Sequence, residues 1–105
     1  MTANEPLSQQ IYEAGMAYAE ANRIASKLEG GKSIMLAKLS RDLGDMPVNA
    51  AERQVKASDD WAMYIKGMHD ARYEADRLRL EYYRLRDMMT EWQSQQANER
   101  LIAKL

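Results

Sequence analysis

Residues 61–92 read WAMYIKGMHDARYEADRLRLEYYRLRDMMTEW, and this stretch decides the fold. Apolar side chains recur in it at steps of three and four residues, which keeps them on one face of a single α-helix of about nine turns. Such a face needs a second helix to cover it. The members of this apolar stripe are Trp61, Tyr64, Met68, Ala71, Ala75, Leu78, Tyr82, Leu85, Met89 and Trp92.

The first half of the chain carries the matching pattern. Apolar and small residues keep the same spacing over residues 11–43 and stay in phase across Gly30-Gly31. A loop would usually reset that phase, so the spacing predicts one continuous helix over about residues 7–43. Pro6 suits the first turn of this helix, with Asn4 as a possible cap.

Stop and start signals separate this first helix from the long one. Gly44 followed by Pro47 is a helix stop, because glycine closes helix C-termini and proline cannot continue a helix. A turn is therefore expected over residues 44–49. The run from Asn49 to Glu52 has the form of a capping box, which predicts a short helix over about residues 50–57.

The long helix has its own start signal. Ser58 is a favourable N-cap, and two aspartates follow it at the positive end of the helix dipole. The long helix is predicted over residues 59 to about 104. Folded back on the first helix, it gives an all-α single domain over residues 1–105, a long antiparallel, coiled-coil-like hairpin with a short connecting helix. Residues 96–105 should project beyond the hairpin, exposing the apolar side chains Leu101, Ile102 and Leu105.

A two-helix hairpin is one layer thick and buries little surface for its size. Tyr73 and Leu80 lie seven residues apart and opposite the apolar stripe, with no partner inside the chain. Met63 and Met88 also fall off the stripe and are candidates for a partner surface. A second copy of the chain is the simplest cover for this face, so we expect a homodimer, in the form of a four-helix bundle.

The composition narrows the functional classes. There is no cysteine, and the formal net charge of −1 favours neither a basic nucleic-acid binder nor a strongly acidic protein. His69 is the only histidine and has no metal-binding partner in the sequence; the acids around the turn lack a calcium-loop pattern. We therefore expect no enzyme activity, cofactor, metal site or membrane span, and a cytoplasmic location.

Five arginines interleave with tyrosines in the long helix, as they would in a protein that binds single-stranded nucleic acid. Acidic residues lie among them, however, and Arg72–Asp76, Arg77–Glu81 and Glu74–Arg77 have the spacing of salt bridges along a helix. A solvated ion-pair face is therefore favoured over nucleic-acid contact. The arginines that would make such contact are Arg72, Arg77, Arg79, Arg84 and Arg86.

Several short stretches spread over most of the chain share one further pattern: Ala19-Glu20-Ala21-Asn22, Leu28-Glu29, Ala51-Glu52-Arg53, Ala57-Ser58, Ala71-Arg72, Glu74-Ala75, Glu91-Trp92, Ser94-Gln95-Gln96-Ala97 and Glu99-Arg100. With these stretches the chain resembles small, uncharacterised helical proteins of tailed phages, which are often encoded beside single-strand annealing recombinases and single-strand-binding proteins. The resemblance implies an accessory role near recombination or replication and supplies no catalytic residues.

Three functional hypotheses follow. The first is a non-enzymatic, phage-type protein that binds a recombination or replication protein through a helical face or its C-terminal projection. The second is a phage inhibitor of a host defence complex that acts by steric binding. The third is a direct binder of single-stranded nucleic acid.

Overall fold

The computed structural model describes residues 5–105, so Asn4, the possible cap of the first helix, lies outside the described residues. Over this range the chain forms four helices and no strand: α1 (Leu7–Gly30), α2 (Lys32–Asp42), α3 (Val48–Lys56) and α4 (Asp59–Ala103). The molecule measures 83 × 24 × 16 Å, and α1 packs along α4. The predicted all-α class, with a long helix packed against the first, is confirmed for these residues.

A seven-residue repeat places the contact between α1 and α4. In α4, the residues of the apolar stripe alternate in steps of three and four, a mean period of 3.5 residues that is typical of coiled coils. In α1 the same repeat runs through Leu7, Ile11, Ala14, Tyr18, Ala21, Ala25 and Leu28. Ala25 and Ala75 are completely buried, so the small side chains let the two backbones approach closely.

Gly31 divides the predicted first helix into α1 and α2, which differs from the single helix expected over residues 7–43. The interruption is one residue long, because the Gly31 N–H still donates to the Lys27 carbonyl at 3.0 Å and the Met35 N–H donates to the Gly31 carbonyl at 2.9 Å. The hydroxyl of Tyr64 on α4 donates to the Leu28 carbonyl. A Cβ at Gly31 would lie 3.2 Å from the Tyr64 hydroxyl oxygen. Glycine at this position therefore lets the tyrosine reach the helix backbone.

The chain reverses between α2 and α3, which pack against each other. Gly44 has a φ of +85°, a left-handed conformation that glycine adopts without strain, and its N–H donates to the Arg41 carbonyl at 3.1 Å. Pro47 occupies the N-cap of α3 and makes no side-chain cap hydrogen bond. The predicted capping box is wrong, since Asn49 lies inside α3, one residue after the helix begins.

The start of α4 agrees with its sequence signal. Ser58 is the N-cap, and its hydroxyl oxygen accepts a hydrogen bond from the Trp61 N–H at 3.2 Å. Asp59 and Asp60 occupy the first turn, where the helix dipole favours negative charge. At the start of α1, Pro6 is the N-cap, one position before the first turn in which the sequence placed it.

Across residues 5–105, none of the helices is both long and apolar enough to cross a membrane.

Candidate partner-binding surfaces

The face of α4 directed away from α1 carries a regular line of exposed side chains. Lys66, Tyr73, Leu80 and Asp87 follow one another at intervals of seven residues, the same period that fixes the α1 contact. Tyr73 is 72% exposed and Leu80 is 65% exposed. We call these four residues the outer stripe. It presents two large apolar side chains to solvent at the centre of the longest helix.

Met63 and Met88 do not belong to the outer stripe. Both are exposed, but they are rotated from the line of Tyr73 and Leu80 by about 80° and lie about 37 Å apart along the helix. The Met88 sulfur lies 3.2 Å from a nitrogen of the Arg84 guanidinium. The sequence predicted one partner surface on the body of α4. The structure divides it into the central pair of Tyr73 and Leu80 and two methionines that lie apart from this pair.

α4 continues beyond the start of α1. Leu7 lies beside Met89 and Trp92, and these residues, together with Ser8, line a groove of about 320 Å³ at this end of the hairpin. Residues 93–103 of α4 extend past it. We call residues 93–105 the C-terminal projection. Its apolar side chains are all exposed: Leu101, Ile102 and Leu105.

Arg72 ties α4 to α1. Its guanidinium makes two hydrogen bonds to the Glu29 carboxylate, at 2.7 and 2.9 Å, and one to the Asn22 side-chain oxygen at 2.8 Å. A fourth hydrogen bond, to the Ser26 hydroxyl, is longer at 3.4 Å. Arg72 therefore points into the hairpin, and the salt bridge predicted between Arg72 and Asp76 is not formed.

Arg77 and Arg84 form salt bridges with acids on α4 itself. Arg77 pairs with Glu74 at 2.6 Å, as the sequence predicted, and Arg84 pairs with Glu81 at 2.8 Å. Glu81 thus pairs with Arg84 and not with Arg77. The hydrogen bonds from these arginines lower the pKa of each glutamate.

Arg79 and Arg86 complete the set predicted for nucleic-acid contact. Arg79 lies 3.7 Å from Asp76, and the Arg86 guanidinium lies over the Tyr82 ring, 5.6 Å from its centroid. Within residues 5–105, Arg86 is thus the one member of the set that forms no ion pair. The five side chains do not assemble into a free cationic surface.

The pairing of Arg72 with Glu29 has a measurable consequence. The hydrogen bond from Arg72 lowers the pKa of Glu29, so this pair stabilises the fold above the unfolded pKa of glutamate and the stabilisation is lost as the pH falls through the folded pKa. We expect Arg72→Gln to melt at a lower temperature than the wild type at pH 7. The difference should shrink in acid, as followed by circular dichroism between pH 7 and pH 3.

Arg23→Gln is the matched control, because Arg23 pairs with Glu20 inside α1 and joins no two helices. It should change the melting temperature less than Arg72→Gln. Equal effects of the two variants would show that the contact between α1 and α4 does not depend on Arg72.

The residues considered for catalysis or metal binding do not form a cluster in the described part of the chain. His69 is exposed on α4. No group of three or more histidine, cysteine or acidic side chains that could hold a metal occurs in the part of the chain that the structure describes. Gly30 ends α1 and Lys32 begins α2, so the Gly30-Gly31 pair belongs to a nearly continuous helix.

Comparison with family models, curated proteins and solved structures gives no match for this chain. The resemblance to helical phage proteins therefore stays a prediction from the sequence.

Proposed function

We propose that this protein is a non-enzymatic binding protein that attaches to other proteins through exposed helical surfaces. The observation that carries this proposal is the apolar surface left open by a one-layer hairpin. The accessible surface is 8049 Å², whereas a compact monomer of this mass exposes about 6,000 Å². Exposed apolar residues on the outer stripe and the C-terminal projection supply part of that surface, and such residues are favourable anchors for a protein partner.

The biological setting of the proposal comes from the resemblance to phage proteins encoded near recombination genes. We propose a role in phage DNA recombination or replication, in the host cytoplasm. The alternative, an inhibitor of a host defence complex, would use the same kind of steric contact. The identity of the bound partner would distinguish the recombination role from the defence-inhibitor role.

Direct binding of single-stranded nucleic acid is the less favoured function. Arg72, Arg77, Arg79 and Arg84 already lie beside carboxylates, and displacing those pairs would offset the gain from phosphate contacts. Arg86 beside Tyr82 is the feature that supports this function most, since cations and aromatic rings together bind bases and phosphates. Oligonucleotide binding that weakens with salt, and weakens further in Arg86→Gln, would support it.

The C-terminal projection is the proposed docking element for the heterologous partner. Leu101 and Ile102 are neighbours in the last turn of α4. Leu105 follows the end of the helix, and its N–H donates to the Ile102 carbonyl at 3.1 Å, which keeps the three apolar residues at the same end of the chain. An amphipathic helix of this kind binds by laying its apolar edge into a groove on a partner. The groove at Leu7 and Trp92 is a separate apolar feature, because the polar residues 93–96 lie between it and Leu101.

Deleting residues 97–105 is expected to abolish partner capture while leaving the hairpin folded. The deleted residues lie beyond the start of α1, so helicity per residue and melting temperature should stay close to those of the full chain. The measurement is affinity capture from lysates of infected and uninfected cells with mass spectrometry, together with thermal melting. Enrichment of recombination or replication proteins supports the first hypothesis, and enrichment of defence proteins supports the second.

Point variants give this deletion a matched control. Leu101→Ser combined with Ile102→Ser should lose the same partner, whereas Ala97→Ser combined with Ala103→Ser should retain it. A truncated chain that unfolds would place the projection in the core. A truncated chain that folds and captures the partner normally would exclude the projection as the docking element.

We also propose that the chain is a homodimer in solution, with Tyr73 and Leu80 in the contact. Both side chains are large, exposed and central on α4. Light scattering should then give about twice the chain mass of 12.1 kDa.

A further inference from the structure

The outer stripe carries opposite charges at its two ends. Read along α4, it runs from the positive Lys66 through Tyr73 and Leu80 to the negative Asp87, with seven residues between neighbours. Lys66 pairs with Asp70 on the same helix at 2.6 Å, and 78% of its side chain remains accessible to a partner. Asp87 is also exposed. An apolar pair flanked by opposite charges at equal distances is complementary to a second copy that runs in the opposite direction.

We propose that two chains associate through their outer stripes with the α4 helices antiparallel and the two-fold axis between residues 76 and 77. This register rests on the proposed homodimer and specifies its geometry. It places Tyr73 against the partner's Leu80 and Lys66 against the partner's Asp87. Because the contact is two-fold symmetric, each of these pairs occurs twice.

The charges at the ends of the outer stripe also distinguish the two possible directions of the partner helix. A parallel arrangement would place Lys66 against the partner's Lys66 and Asp87 against the partner's Asp87. Like charges in direct apposition are unfavourable, so the charge order selects the antiparallel arrangement.

A one-layer hairpin leaves surface available for such a contact. The accessible surface exceeds that of a compact monomer by about 2,000 Å², and a stable interface of standard size removes about 800 Å² from each partner. The antiparallel contact along residues 66–87 uses about 32 Å of helix length. It covers the two most exposed large apolar side chains on the body of α4 apart from Met63.

The proposed dimer is a flat layer of four helices, in place of the closed four-helix bundle that the sequence suggested. The outer stripe lies opposite the face that packs on α1, so the two α4 helices occupy the centre and the two α1 helices lie outside. The antiparallel arrangement sends the two C-terminal projections to opposite ends of the assembly.

Cysteine cross-linking tests the register directly, because the natural chain contains no cysteine. In the proposed dimer the two copies of residue 66 are about 30 Å apart. Lys66→Cys alone and Asp87→Cys alone should therefore give no covalent dimer with a short bis-maleimide cross-linker. The double variant, Lys66→Cys with Asp87→Cys, should be cross-linked in high yield.

Charge reversal provides the second arm of the test. Lys66→Asp should weaken dimerisation about tenfold, because it replaces two favourable pairs by two repulsive ones. Adding Asp87→Lys should restore the dimer, which a change in the helicity of one chain could not do. Glu99→Lys, an exposed charge beyond the stripe, is the control and should leave the dissociation constant unchanged.

The outcomes distinguish the register from the dimer itself. Efficient cross-linking of both single-cysteine variants would establish a parallel dimer and overturn the proposed register, leaving the homodimer in place. A dimer in which neither the single nor the double variants cross-link would place the contact on another face. Light scattering that gives the mass of one chain at all concentrations up to the millimolar range would overturn the homodimer and the register together.

Discussion

Leu85→Asp is expected to unfold the protein. Leu85 is 1% exposed and is the only large side chain that is fully enclosed within residues 5–105. Aspartate there removes an apolar side chain and leaves a carboxylate without a partner, which together cost about 3–5 kcal/mol or more. A thin hairpin has a small total stability, so this loss should remove most of the helical circular dichroism signal and the cooperative melting transition.

Leu101→Asp is the matched control for Leu85→Asp. It makes the same chemical change on the same helix, at a side chain that is 63% exposed on the C-terminal projection. The control should keep the melting temperature of the wild type. A Leu85→Asp variant that melts like its control would show that the α1–α4 contact differs from the one described.

Ala75→Leu is expected to lower the stability of the hairpin, by less than Leu85→Asp does. Ala25 and Ala75 are both completely buried on the faces by which α1 and α4 pack. A larger side chain at Ala75 must push the helices apart, and overpacking of this kind costs roughly 1–3 kcal/mol. The midpoint of urea unfolding should fall accordingly.

Ala62→Leu controls for the change of residue type, because Ala62 is exposed near the start of the same helix. Alanine and leucine both have high helix propensity, so the two substitutions differ only in the packing around the new side chain. Equal unfolding midpoints for Ala75→Leu and the wild type would mean that the helices are not in close contact at this point.

The pairing of α1 with α4 was predictable because it depends on a periodic pattern. The alternating steps of three and four in residues 61–92 define a face, and residues 11–28 supply the complementary face. Gly44 and Ser58 were identified from local chemistry that acts within a few residues. Signals of this range can be read directly from a single sequence.

The interruption at Gly31 could not be predicted in the same way. It accompanies the hydrogen bond from Tyr64 to the Leu28 carbonyl, between residues that are 36 positions apart. The start of α3 shows a related limit. Pro47 and Asn49 are both acceptable near a helix N-terminus, and nothing local in the sequence decides which of the two is the N-cap of α3.

The exposed surfaces followed from helical phase, whereas the ion pairs did not. Tyr73 and Leu80 are exposed because they lie opposite the apolar stripe. An arginine, in contrast, reaches acids three or four residues away and acids on a neighbouring helix. Arg72 had Asp76 within reach along α4 and pairs with Glu29, 43 residues away, since only the folded hairpin brings that carboxylate close.

The length of the hairpin affects how the protein behaves in solution. Its radius of gyration is 23.0 Å, whereas a compact chain of this size has about 13 Å. A globular protein with the same radius of gyration would contain roughly 480 residues. A single chain will therefore diffuse slowly and elute early from a gel-filtration column, with an apparent mass several times its true one. Sedimentation equilibrium, which reports mass independently of frictional shape, is the appropriate companion to light scattering.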